Sequence, residues 1–321
     1  MNKPDRFRYR IYKTKFIFLL LGLICMTQAN AQTYEGTIGR YQIYLDLDLD
    51  YNDNRVVASY FYNSQLKNIL LEGTYDGKTL ILHEQYSSIE EANELFTLSI
   101  EDDKITGIWK SKYSPLPVEL TKTNKSLEDV KAKKLTFVRD SITTYNAKEL
   151  VWFKEKYSEK MLFRLGNGFT KSERDFVNPK LDAIHLEFAT IGLECSSADI
   201  SVVVELVSNE YLSFSEYSSI YCGGAHPSYN KSSYNFDLKN KKQLGPLTDL
   251  YPVLNHYELL KSKYENDTDL QEECEYFAGE YVWEYYSWYL TKDGVTITPQ
   301  FPHALTPCEE GFPLTYEELK N

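Results

Sequence analysis

The stretch YQIYLDLDLD at residues 41–50 alternates apolar and polar side chains. Ile43, Leu45, Leu47 and Leu49 fall on one face of an extended chain, and three aspartates fall on the other. Successive side chains of a β-strand point to opposite faces, so this alternation predicts a strand with one buried and one solvated face.

Short strands of this kind, separated by turn signals, continue from Tyr34 to Leu120. A weak internal echo places a glycine near the start of three of them, at Gly36, Gly73 and Gly107. Together these features predict an antiparallel β-rich domain over residues 32–121. They leave open whether its strands form a sandwich or a barrel.

The composition and the pattern of apolar residues change after residue 121. Residues 122–135 are polar and rich in lysine, which favours a linker, and residues 136–321 mix helical and strand patterns. A helix is predicted between Asn146 and Gly166, and two further helices near 248–263 and 268–283. Strands and helices that do not alternate strictly indicate an α+β fold for this second domain.

The first 31 residues have the pattern of a secretory signal peptide. Six basic residues precede an apolar run at 16–26, which leads to Ala29-Asn30-Ala31. The run is too short to span a bilayer as a helix, so we expect cleavage after Ala31 rather than an uncleaved anchor. The mature chain, residues 32–321, is then expected in the periplasm or secreted, with no stable membrane insertion.

The mature chain is strongly acidic. The whole sequence has 35 basic and 47 acidic residues, of which six and one lie in the first 31. The remaining 29 and 46 give a net charge of −17. This charge repels nucleic acid and favours cationic partners, although solubility is the commoner reason for it.

Four cysteines remain after cleavage, and an even number in an exported chain predicts two disulfides. If Ser208 and Asn209 form the turn of a β-hairpin, its register sets Cys195 opposite Cys222. Cys274 then pairs with Cys308 by elimination.

A zinc site is the alternative use of these sulfurs, since Cys222, His226, His303 and Cys308 form C-x3-H and H-x4-C pairs. Disulfides compete for the same atoms in an oxidising compartment, so we expect no metal. Familiar catalytic motifs and cofactor-binding glycine patterns are missing, so no catalytic residue or cofactor is assigned.

Aromatic residues are dense between Tyr276 and Tyr289. Such rings can form a sugar- or protein-binding platform, but core packing explains most of them.

The most distinctive segment is Gly223-Gly224-Ala225-His226-Pro227, directly after Cys222. Two glycines permit positive φ and a sharp reversal, while Pro227 keeps His226 extended. The segment is either a rigid structural turn or a ligand-contacting loop, and we treat its five residues as the candidate binding site.

This segment, with Tyr234-Asn235-Phe236-Asp237-Leu238 and the ending Pro313 to Leu319, resembles the RsiV/PdaC-like family of C-terminal domains over roughly residues 170–320. That family includes a lysozyme-sensing anti-sigma factor and a peptidoglycan deacetylase. The resemblance implies an α+β fold and a ligand such as lysozyme, a cationic protein, or peptidoglycan. The aspartate and histidine motifs of the deacetylase domain are missing, so its activity is not carried over.

Taken together, these observations predict an exported, non-catalytic binding module of the cell envelope. The alternative is an envelope hydrolase or deacetylase-associated enzyme of unrecognised type.

Overall fold

The computed structural model describes residues 32–49, 55–85, 92–112, 114–252, 258–261, 274, 286–301 and 303–320. The expected signal peptide lies outside them. The described residues are mostly β-strand, with one long helix. The predicted α+β class is therefore wrong, because the second half of the chain is also built mainly from antiparallel sheets.

The first eight strands form a closed antiparallel barrel. It closes where β1 pairs with β8, from Tyr34 opposite Lys122 to Ile38 opposite Val118. The strands are β1 Gln32–Ile38, β2 Tyr41–Asp48, β3 Arg55–Tyr62, β4 Ile69–Tyr75, β5 Thr79–Glu84, β6 Glu94–Glu101, β7 Lys104–Ser111 and β8 Pro115–Lys122.

Side chains fill the interior of the barrel. Ile43, Leu45 and Leu47 of β2 are at most 2% exposed and belong to one hydrophobic cluster with apolar residues from the other barrel strands. This confirms the alternation expected from the sequence: one face of the strand supplies the core.

The three glycines noted in the sequence lie where neighbouring backbones approach closely. At Gly36, Gly73 and Gly107, a Cβ atom would overlap the carbonyl oxygens of Glu119, Ile81 and Thr97, respectively. Glycine within a strand is typical of sites where a barrel bends or where another backbone comes near.

The predicted linker contains a short helix, α1 (Leu127–Ala132), which packs between the barrel and the rest of the chain. Leu127 and Val130 of α1 contact a small cluster that joins Phe61 of the barrel to Leu193. Lys131 is buried there, and its Nζ donates to Asn68 Oδ1 over 2.7 Å.

A three-stranded sheet follows, made of β9 Phe137–Tyr145, β10 Lys148–Glu155 and β11 Met161–Leu165. It replaces the helix predicted between Asn146 and Gly166. Asn146 and Ala147 have φ of 48° and 64° and form the turn that joins β9 to β10. Spacings of three and four residues suggested a helix, but the apolar residues lie on two paired strands.

The long helix α2 (Lys171–Glu194) was not predicted. Its first turn has a capping box, in which Thr170 and Glu173 each accept from the other's backbone N–H. Its buried face includes Leu181 and Phe188, which pack with Phe163, Phe214 and other residues of the neighbouring sheets.

The remaining strands form two further sheets: β12 Ser197–Val207, β13 Tyr211–Tyr221, β14 Ser228–Asp237 and β15 Lys242–Leu244 in one, and β16 Tyr286–Leu290, β17 Gly294–Pro299 and β18 Phe312–Thr315 in the other. Two late helices were predicted, near 248–263 and 268–283. Within the first range, residues 258–261 are helical, and Leu247–Asp249 forms a single 3-10 turn. Most of 268–283 lies outside the described residues.

Among the residues that the structure describes, no helix has both the length and the apolar character needed to cross a membrane.

Candidate binding cleft

The sheet of β12–β15 has two different faces. Phe214 and Phe236 point to one face and pack in the core beside α2. The other face is partly covered by the sheet of β16–β18, where Asn235 Nδ2 donates to the carbonyl oxygen of Trp288 over 2.8 Å. Ser233 Oγ and Ser287 Oγ also lie 2.7 Å apart. Beyond these contacts the face opens into a cleft.

The cleft has a volume of about 530 Å³, within the range that holds small ligands. Lys231 of β14 and Glu309, which precedes β18, line the cleft. The cleft is also lined by Asp199 and Ser201 of β12, Tyr217 and Ser219 of β13, and Tyr229 of β14.

Two tyrosines present aromatic surface in this cleft. Tyr217 and Tyr229 are 38% and 54% exposed, which is high for rings on a sheet face. Tyr217 lies opposite Lys231, and Tyr229 lies opposite Ser219, so the tyrosines are diagonal neighbours on adjacent strands.

Lys231 is held at one side of the cleft by several contacts. Its Nζ donates to Thr298 Oγ1 over 2.9 Å. The same atom lies 5.0 Å from the ring centre of Tyr217 and 5.4 Å from that of Tyr289, within the range of cation–π attraction. The ammonium group therefore joins two strands and two rings, and we call these four residues the Lys231 cluster.

Two carboxylates near the Lys231 cluster have raised pKa values. Burial raises the pKa of Glu205, opposed by a hydrogen bond from Ser215 and by the charge of Lys231. Burial likewise raises the pKa of Glu309, opposed by the backbone N–H of Phe301 and by Lys231. Lys231 thus helps to keep both groups ionised.

The predicted binding loop lies next to the cleft. Residues 222–227 connect β13 to β14, and Gly223 and Gly224 have φ of 110° and 104°, which confirms the expected reversal. The side chains of Ala225 and His226 are exposed, and Pro227 is half-buried. Tyr221 Oη donates to the carbonyl oxygen of Gly224 over 2.9 Å. The loop is the tip of the hairpin that carries Tyr217 and Tyr229, beyond the lining residues named above.

Both predicted disulfides are present, Cys195–Cys222 and Cys274–Cys308. The turn on which the first was predicted lies one residue further on, at Asn209 and Glu210, and a bulge at Glu205 shifts the register back in part. Cys195 and Cys222 lie just beyond the last ladder pair, Ser197 and Tyr221, where their Cα atoms are 4.1 Å apart. Disulfides of this kind are typical of proteins that fold outside the reducing cytoplasm.

The disulfides use the sulfurs that a zinc site would need. Among the described residues, no group of three or more histidine, cysteine or acidic side chains is placed to hold a metal ion. The ring density noted between Tyr276 and Tyr289 falls partly outside these residues. Trp288 is buried and its indole N–H donates to the carbonyl oxygen of Gly245, as expected for core packing.

Tyr217 and Tyr229 were missed by sequence reasoning. The signal was the alternation within YLSFSEYSSIY at 211–221, where Tyr217 and Ser219 fall on the face opposite Phe214. Which of the two faces becomes a cleft depends on where β16–β18 pack, and no local pattern states this.

No protein-family model matches the chain, and no curated protein matches it significantly. The resemblance to RsiV/PdaC-like domains therefore rests only on the motifs quoted above.

Proposed function

We propose that this chain is an exported, non-catalytic binding module of the cell envelope, periplasmic or secreted, and that it binds its ligand in the cleft beside Tyr217. The observation that carries the proposal is the pair of exposed tyrosines in a cleft of about 530 Å³. Rigid aromatic surface with polar groups around it is typical of binding sites. The proposed ligand is peptidoglycan or a related wall fragment.

A cationic protein such as a basic lysozyme is the second candidate, favoured by the net charge of −17 after residue 31. Binding through charge would depend on salt, since exposed charges are screened over about 8 Å at physiological ionic strength. Association with such a partner should slow as salt rises.

Co-sedimentation of residues 32–321 with purified insoluble peptidoglycan tests the first ligand, and calorimetry against a basic lysozyme at low and high salt tests the second. We expect retention on peptidoglycan that Tyr217→Ala reduces. Tyr41→Ala is the matched control, because Tyr41 is a similarly exposed ring on the barrel, 46% exposed. The proposal would be contradicted if the protein bound neither peptidoglycan nor lysozyme, or if it released soluble fragments from peptidoglycan with turnover.

A further inference from the structure

The placement of Tyr217 and Tyr229 defines what the cleft can hold. Diagonal neighbours on paired antiparallel strands lie about 7–8 Å apart. Two flat surfaces side by side can support neighbouring rings of an oligosaccharide. The C–H groups of a pyranose carry slight positive charge and pack against the negative face of an aromatic ring.

Tyr217 is already oriented before any ligand arrives. The ammonium group of Lys231 lies 5.0 Å from its ring centre and is itself tied to Thr298. A ring held in this way loses less rotational freedom on binding, which favours affinity.

Polar groups surround the two rings. Asp199 lies opposite Ser219 and Ser201 lies opposite Tyr217, so the three polar side chains share the face of the two rings. A carboxylate accepts hydrogen bonds, and a hydroxyl both donates and accepts them. This mixture matches sugar hydroxyl groups, which also donate and accept.

The two carboxylates of the cleft disfavour an anionic ligand. Asp199 and Glu309 would repel an anion such as a phosphate or an acidic polysaccharide. The contacts of Lys231 with Thr298 and two rings leave it poorly placed to pair with an added carboxylate. An uncharged ligand avoids this repulsion.

We infer that the cleft binds an uncharged oligosaccharide, with sugar rings stacked on Tyr217 and Tyr229 and sugar hydroxyls hydrogen-bonded to Asp199, Ser201 and Ser219. This inference rests on the proposed binding function and names the ligand class of the same site.

Calorimetry of residues 32–321 with the β-1,4-linked tetramers of N-acetylglucosamine and of glucose tests it. At least one tetramer should bind saturably. Tyr217→Ala and Tyr229→Ala should each weaken binding about tenfold or more, whereas Tyr217→Phe, which keeps the ring, should stay within about threefold of wild type. Tyr41→Ala, which alters an exposed side chain outside the cleft, should leave affinity unchanged.

Thermal melting of each variant shows that it is folded. No binding of either tetramer, tighter binding of an acidic oligogalacturonate, or equal losses in Tyr217→Phe and Tyr217→Ala would overturn the inference. Retention on peptidoglycan without tetramer binding would reject the ligand class and leave the proposed function standing. Tetramer binding without retention on peptidoglycan or lysozyme would support the ligand class and reject the proposed envelope ligands.

Discussion

Arg164 Nη2 lies 3.4 Å from Nδ1 of His185, a side chain of α2 that is fully buried. A guanidinium can only donate, so Nδ1 accepts, and the ring proton lies on Nε2, which donates to the carbonyl oxygen of Lys160 over 2.9 Å. The two contacts together select the neutral imidazole.

Burial lowers the pKa of His185 to about 4, and the nearby charge of Arg164 acts in the same direction. Asp182 and Glu155 oppose this shift, as does the hydrogen bond to Lys160. Between about pH 6.5 and pH 4 the unfolded chain binds a proton at this position and the folded chain does not. The free energy of unfolding should therefore fall as pH is lowered through this window, by up to about 3 kcal/mol.

His185→Gln removes the titrating group. The difference in unfolding free energy between wild type and this variant, measured by urea titration, should change across pH 4–6.5 and stay constant from pH 7 to 8. Parallel curves over the whole range would show that His185 does not titrate as described.

Removal of the Cys195–Cys222 disulfide should destabilise the fold. The bond joins positions 27 residues apart and ties the end of α2 to the loop at 222–227. Replacing both cysteines with alanine should lower the free energy of unfolding by about 2–4 kcal/mol, because the unfolded chain gains freedom. Urea titration without reductant measures this, and wild type under the same conditions, with both disulfides intact, is the comparison. A change below about 0.5 kcal/mol would mean that the loop is held by its other contacts alone.

Gly73→Ala should disrupt the barrel. The added methyl group would overlap the carbonyl oxygen of Ile81 on the paired strand, so the two backbones would have to separate. We expect a loss of about 3 kcal/mol or more, at the upper end of single-residue effects. Gly77→Ala is the control: nothing lies within 4 Å of its added Cβ, and its φ of +90° adds only backbone strain. Equal losses in both variants would contradict the overlap.

The N-terminal strands could be predicted from the sequence because their core-facing apolar residues recur at every second position. Ile43, Leu45 and Leu47 are buried as that pattern required. Closure of the barrel could not be predicted, since it depends on the pairing of β1 with β8, in which Tyr34 lies opposite Lys122.

In the second half of the chain, the spacing of the apolar residues led to a wrong prediction. Leu150 and Met161 suited a helix, but the positive φ values at Asn146 and Ala147 start a hairpin instead. The opposite error hid α2, although its capping box was present in the sequence at Thr170 and Glu173. In the site, the loop glycines were found by local chemistry, whereas Tyr217 and Tyr229 depend on how two sheets stack.

Lys231→Met tests whether charge holds the Lys231 cluster together. Methionine has similar volume but cannot donate to Thr298 or attract the rings of Tyr217 and Tyr289. We expect the free energy of unfolding at pH 7 to fall by about 1–2 kcal/mol, in line with a hydrogen bond made by a charged group.

The loss in Lys231→Met should also depend on pH. Burial raises the pKa values of Glu205 and Glu309 in the folded state. Their ionisation therefore costs stability as the pH rises above the pKa of a glutamate in the unfolded chain. Without Lys231 that cost grows, so the gap between wild type and variant should widen from pH 4.5 to pH 7. Lys242→Met, which removes an exposed ion pair with Asp249, should have little effect. A gap that does not change with pH would show that Lys231 acts by packing, because only its charge couples to the two carboxylates.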